Sequence, residues 1–148
     1  MMPKPTFELI PFQLRTALEI TLAGPPVAAG FPSPAEDVLS TGLDLNEYLV
    51  KRPEATFLVR VQGESMLGAG IQPGDILIVD RLANVTDHAI VVAVLQGEFT
   101  VKRLRRQGRR IFLMPANDTF PPIEVREEDD FRVWGVVVHL IRTFKHGR

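Results

Sequence analysis

The sequence predicts a mostly β domain, compact, with its sheet curled or barrel-like, carrying short helices and preceded by a flexible N-terminal arm. Three observations lead there. From Thr56 onward, apolar residues alternate or run together in short bursts (TFLVRV, ILIVD, AIVVAVL, FTVKRL, RIFLMP and FRVWGVVVHLI), each of strand length. Turn residues separate them: Pro73-Gly74-Asp75 suits a type II turn, and Gln96-Gly97-Glu98 and Gln107-Gly108 suit tight reversals. No stretch of this half sustains a helical period, so the strands must bury their apolar faces against one another.

The first 32 or so residues differ. Prolines at positions 3, 5, 11, 25, 26 and 32 interrupt every candidate helix, and LAGPPVAAGFPSP is small, Pro-rich and uncharged, the composition of an arm and not of a core. Two short helices are expected next. Ser33-Pro34-Ala35-Glu36 offers an N-cap, proline at the first helical position and an acid at the third, with Gly42 as the stop. Asp44 then caps LNEYLV, which ends before Pro53. There is no internal repeat and no low-complexity tract.

Composition narrows the function by exclusion. At 148 residues with 45% hydrophobic side chains the chain suffices for one domain with a core, alone or in a small oligomer. Seventeen basic residues against eighteen acidic give a net charge of −1, so any contact with nucleic acid or membrane would have to be local. The absence of cysteine removes disulfides, thiolate metal sites and a cysteine nucleophile, and it suits a reducing cytoplasm. The longest apolar runs, IVVAVL and VWGVVVHLI, fall far short of the roughly 20 residues that span a bilayer. The N-terminal MMPKPTFELIPF has no secretory-signal core. The expectation is a soluble cytoplasmic protein.

The chemistry centres on Ser65, in the segment VQGESM that follows the strand TFLVRV. Three readings compete. In a Ser-His-Asp triad, His88, His139 or His146 would act with Asp75, Asp80 or Asp87, but the sequence shows no means of bringing them together, and His139 sits inside an apolar run. In a Ser-Lys dyad, Lys102 of EFTVKRL would be the base, which requires a desolvated site to lower its pKa; apolar residues at both parities of that strand permit one. In the third reading Ser65 merely caps a turn, the commonest use of serine after a strand. Lys102, Arg103, Arg105, Arg106, Arg109 and Arg110 also cluster, but no aromatic residues interleave them for base stacking, so a solvated face is expected and direct DNA binding is not.

Taken in order, GESM, GAGIQPGDILIVDR, QGEFTVKRL, LMPAND and VWGVVVHLIR resemble the self-cleaving serine peptidase family of LexA repressors and UmuD proteins. The likeness extends from about Gly30 to Arg142. It implies a LexA-type peptidase fold, with Ser65 as nucleophile, Lys102 as general base and no cofactor or metal. Family members cut themselves at a small residue followed by glycine, and AAGFPSPAED matches that segment, so the implied scissile bond is Ala29-Gly30 and the implied division is an arm, 1–29, and a peptidase and dimerisation domain, 30–148. A small side chain at 29 and a glycine at 30 also suit entry into a narrow cleft.

Only 29 residues precede Gly30, too few and too rich in proline for a helix-turn-helix domain, which favours the UmuD branch over a repressor. TVKRLRRQG, by contrast, is close to LexA wording. Asp87-His88-Ala89 departs from a Gly-Asp turn common in relatives and leaves the local turn open. The resemblance further implies the SOS response, cleavage stimulated by a RecA filament on single-stranded DNA, a homodimer and a UmuC-like translesion polymerase as partner. The rivals are a non-catalytic polymerase adaptor, a signal-peptidase-like Ser-Lys protease, disfavoured by the missing membrane anchor, and a LexA-like repressor fragment.

Overall fold

The structure, a computed structural model, describes residues 7–13, 19–23 and 40–145. Ten strands are present among them: β1 (Phe7–Pro11), β2 (Glu19–Ala23), β3 (Ser40–Asp44), β4 (Thr56–Val61), β5 (Ile76–Asp80), β6 (Ile90–Leu95), β7 (Glu98–Gln107), β8 (Arg110–Met114), β9 (Ile123–Val125) and β10 (Phe131–Ile141). One helix, α1 (Leu45–Leu49), joins β3 to the rest. Eight strands form one antiparallel sheet in the order β1-β4-β5-β10-β6-β7-β8-β9, open at its ends, and β2 pairs with β3 separately. The mostly β prediction holds, and the sheet is not closed.

The continuous apolar run of β6 reflects burial on both faces. Val92 and Val94 join a cluster with Val59, Leu77, Val79 and Trp134, whereas Val91 and Ala93 point the other way, onto Leu104, Leu113 and Val136. A strand with two dry faces needs sheet or loop on both sides. Trp134 anchors the first cluster with edge-on contacts to Phe57 and Phe99, at 5.2 and 5.7 Å between ring centroids. β10 exchanges β6 for β5 along its length and carries register shifts between Val133 and Gly135 and between Val137 and His139, so it can serve both neighbours.

The Asp44 cap is as expected: its Oδ1 accepts from the Asn46 amide at 2.9 Å. The helix expected from Ser33 to Gly42 is corrected only at its end. Positions 33–39 lie outside the described residues, and Ser40 to Gly42 belong to β3, paired with β2 through Thr21↔Gly42. At Ser40 to Gly42, pairing with β2 sets the extended backbone.

The arm also departs from its expectation as a segment without structure. Phe7–Pro11 pairs antiparallel with β4, Leu9 opposite Val59 and Pro11 opposite Phe57, and so closes one edge of the sheet. Prolines that break helices are compatible with an edge strand, where one missing N–H faces outward. Residues 7–11 therefore shield the outer edge of β4. Deleting residues 1–29 is expected to accelerate amide hydrogen exchange in residues 56–61 several-fold while leaving β6 unchanged. Equal protection of β4 in both forms would show that β1 does not cover that edge in solution.

Candidate active site

β4 delivers the chain into a loop, residues 62–75, that is pinched shut at its base. Val61 N–H donates to Asp75 O at 2.8 Å and Gly74 N–H returns to Val61 O at 2.9 Å. The predicted type II turn closes it, with Gly74 at φ +92° and Asp75 N–H donating to Gln72 O. The Asp75 side chain accepts from the Gln72 amide and takes a two-pronged contact from Arg142, at 2.8 Å to Oδ1 and 2.6 Å to Oδ2. Arg142 also donates to Gly70 O, so the end of β10 is tied to the loop at two points.

The Arg142 guanidinium holds the Asp75 carboxyl below the usual carboxylate range, against the opposing effect of burial. A depressed folded pKa contributes stability that is complete above the unfolded value of 3.8 and is lost as pH falls below it. Arg142→Gln is expected to lower Tm at pH 7 and to flatten its decline between pH 4 and pH 2. Parallel Tm-against-pH curves for the two proteins would remove Asp75 from the acid response.

Ser65 sits half-buried near the tip of this loop, followed by a 3-10 turn over Leu67–Ala69. Gly68 lets a second loop come close: its N–H donates to Ala116 O at 2.6 Å, where a side-chain Cβ would meet that same oxygen at 2.6 Å. On the facing wall, β7 places Thr100 and Lys102 on one side of the strand. Lys102 is 8% exposed; its Nζ lies 3.0 Å from Ser65 Oγ and 2.7 Å from Thr100 Oγ1. Burial pushes the Lys102 ammonium below the ordinary lysine value. The two residues open into a cleft of about 200 Å³ lined by Val61, Gly63, Met66, Ile71, Val101 and Phe120 among others.

Of the competing readings, the structure juxtaposes Ser65 with lysine and not with histidine. His88 is exposed beside Asp87, and His139 stacks on Tyr48 at 5.6 Å; neither lines the cleft, and His146 lies outside the described residues. Asp75 is occupied by Arg142 and Asp80 by Arg52. Ala29 and Gly30, the implied scissile residues, fall in the connection between β2 and β3, outside the described residues. The Asp87-His88-Ala89 turn forms with His88 at φ +74° and its N–H on Leu104 O.

The basic run divides. Lys102 turns into the cleft, Arg103 donates to His88 O, Arg105 lies beside Asp87 and Arg110 makes a two-pronged pair with Glu124, leaving exposed Arg106 and Arg109 near the β7–β8 turn. Thr100, Ala116, Asn117 and Phe120 were not singled out in the sequence; the LMPAND segment was visible only as part of a resemblance. Among the described residues there is no cluster of potential metal ligands, and no helix is long and apolar enough to cross a membrane.

The mostly β fold brings a serine and a buried lysine into hydrogen-bond contact across a cleft, the arrangement that a serine nucleophile with a lysine base would require. The pattern of the peptidase S24-like family matches residues 22–138, and the chain belongs to that family, in which LexA and UmuD-like proteins stand. It is 47% identical over 113 residues to protein ImpA of Salmonella typhimurium, covering 76% of this chain and 77% of that one. Protein MucA of Escherichia coli is 44% identical over 116 residues, 78% of this chain and 79% of its own. The LexA repressor of Syntrophotalea carbinolica is 43% identical over 137 residues, 90% of this chain and 66% of its own.

Proposed function

We propose that the chain is a self-cleaving serine peptidase of the SOS response. It cuts its own Ala29-Gly30 bond, and residues 30–148 then serve as the accessory subunit of a translesion DNA polymerase. The observation that carries this reading is the 3.0 Å approach of Lys102 Nζ to Ser65 Oγ, with the lysine buried.

Neutral Lys102 takes the Ser65 hydroxyl proton as Oγ attacks the Ala29 carbonyl carbon. In that state Ser65 O–H donates to Nζ while an Nζ–H donates to Thr100 Oγ1, which aims the amine lone pair at the nucleophile. The carbonyl oxygen becomes an oxyanion, stabilised by backbone N–H groups of the Ser65 turn. As the tetrahedral adduct collapses, the C–N bond to Gly30 breaks and the Lys102 ammonium returns its proton to the leaving amine. Water, deprotonated by Lys102, then attacks the Ser65 ester; the C–Oγ bond breaks, Lys102 returns the proton to Ser65 Oγ and the Ala29 carboxylate is released.

The substrate is part of the same chain, so effective concentration replaces binding affinity. Some 35 residues separate Gly30 from Ser65, a reach above ~100 Å when extended, so length permits cleavage in cis, and a homodimer could exchange arms and cut in trans. The family supports a RecA filament on single-stranded DNA as the stimulus, acting by favouring the cleavable placement of the arm without donating catalytic groups. A UmuC-like polymerase and a cytoplasmic setting complete the reading.

The test is incubation of the purified protein with and without RecA filament, followed by N-terminal sequencing of the product. A new terminus at Gly30, formed faster with filament and absent from Ser65→Ala, is the expected result. A chain that stays intact under both conditions is a non-catalytic adaptor.

A further inference from the structure

The proposed chemistry needs backbone N–H groups aimed at the oxyanion, and the loop that follows β8 holds the peptide planes that carry them. Among the described residues, the amides of Ser65 and Met66 donate to no acceptor, whereas the carbonyls paired with them are all engaged. Glu64 O accepts from Asn117 Nδ2 at 2.8 Å and from Leu67 N–H at 3.3 Å. Ser65 O accepts from Ala116 N–H at 2.7 Å. In a planar trans peptide the C=O and the following N–H point in opposite directions. Fixing Glu64 O therefore directs Ser65 N–H, and fixing Ser65 O directs Met66 N–H.

Asn117 is itself held. Its Oδ1 accepts from Thr119 N–H at 3.0 Å and from Thr119 Oγ1 at 2.9 Å. A backbone N–H can only donate and Glu64 O can only accept, so the carboxamide has one orientation that satisfies both sides. The same segment continues into Phe120, whose N–H donates to Asn117 O and whose side chain lines the cleft. None of these contacts touches Lys102.

We propose that Asn117 is a positioning residue for the reaction at Ser65. With the Ala116 amide, it sets the two peptide planes flanking the nucleophile and so aims the Ser65 and Met66 N–H groups at the oxyanion. The inference rests on the proposed function and assigns a part of the site that the nucleophile and base leave unexplained. Because the brace acts on the oxyanion donors and not on the base, its loss lowers the rate without moving the pH at which the rate reaches half its maximum.

Asn117→Asp is the informative change: it keeps the size and the acceptors for Thr119 but places an acceptor against Glu64 O. Two rates are measured on the full chain across pH 6–10, self-cleavage and phosphonylation of Ser65 by a small fluorophosphonate. The second reaction joins Oγ to phosphorus, expels fluoride and needs no arm. The expected result is a fall of roughly 10–100-fold in both plateaus, the scale of a small misplacement of reacting groups, with the half-maximal pH unchanged. Thr119→Val, which removes one of the two donors to Oδ1, is expected to show the same pattern at smaller size and serves if the aspartate variant does not fold.

Wild-type rates in both variants would overturn the proposal. So would a shifted half-maximal pH, which would place Asn117's influence on Lys102, or a loss confined to self-cleavage, which would place it on the arm. A wild-type chain that neither cleaves nor takes the label fails one step earlier, removing Ser65 as nucleophile and the proposal with it.

Discussion

Alanine at Ser65 or at Lys102 is expected to abolish self-cleavage, a loss of at least about a thousandfold in rate, while the folded domain persists. The two losses differ in origin. In the proposed mechanism Ser65→Ala removes the atom that forms the acyl bond, and the side-chain hydrogen bond lost among the described residues is the one from Lys102. Lys102→Ala leaves the hydroxyl in place without an acceptor for its proton. Lys102→Arg separates charge from basicity: it retains a cation in the cleft but cannot act as a base in the working pH range, and it is expected to be as inactive as alanine. In the proposed mechanism the two side chains act as a unit, so the double variant is expected to be no slower than either single one. A Lys102→Arg variant that cuts at near wild-type rate would show that the cation serves only to stabilise charge.

The second large effect is on pH dependence. Lys102 must be neutral to accept a proton, and burial lowers its pKa from 10.5. Self-cleavage is therefore expected to rise about tenfold per pH unit while the ammonium dominates and to level off before pH 10.5. The same shift carries a stability signature. Between the folded pKa and 10.5 the unfolded chain binds a proton that the native chain lacks, so this group's contribution to stability increases with pH across that window and is least favourable below it. Lys102→Met, which removes the buried charge and keeps the stem, is expected to raise Tm at pH 7, with the gain shrinking toward pH 10.5. A rate flat from pH 6 to pH 10 together with an unchanged Tm in Lys102→Met would contradict a desolvated lysine.

Much of the β half was legible in the sequence because its strands are determined locally. TFLVRV, ILIVD and IVVAVL combine β-branched residues with bounding turns, and the structure places β4, β5 and β6 on them. α1 was legible through Asp44, whose side chain makes the predicted cap. β1, β2 and β3 were not: their sequences hold little intrinsic preference, and only a partner strand makes them extended. β9, three residues long, exists by pairing with β8.

The site was legible in a different sense. From residue types alone a turn cap was the favoured reading of Ser65, and it was the ordered set of motifs that joined it to Lys102. Residues from separate loops that act through backbone atoms, such as Ala116 on Ser65 O, leave no mark in the side-chain pattern at all. Thr100 and Asn117 leave only a faint one, since a threonine two places before a lysine and an asparagine in a turn are both ordinary.

The most direct measurement is intact mass of the wild type, Ser65→Ala and Lys102→Ala after incubation at pH 7 and at pH 10. The account predicts loss of residues 1–29 from the wild type alone, faster at pH 10. A wild type that remains intact at both pH values and with activated RecA filament, or a Lys102→Ala variant that is cut like the wild type, would contradict it.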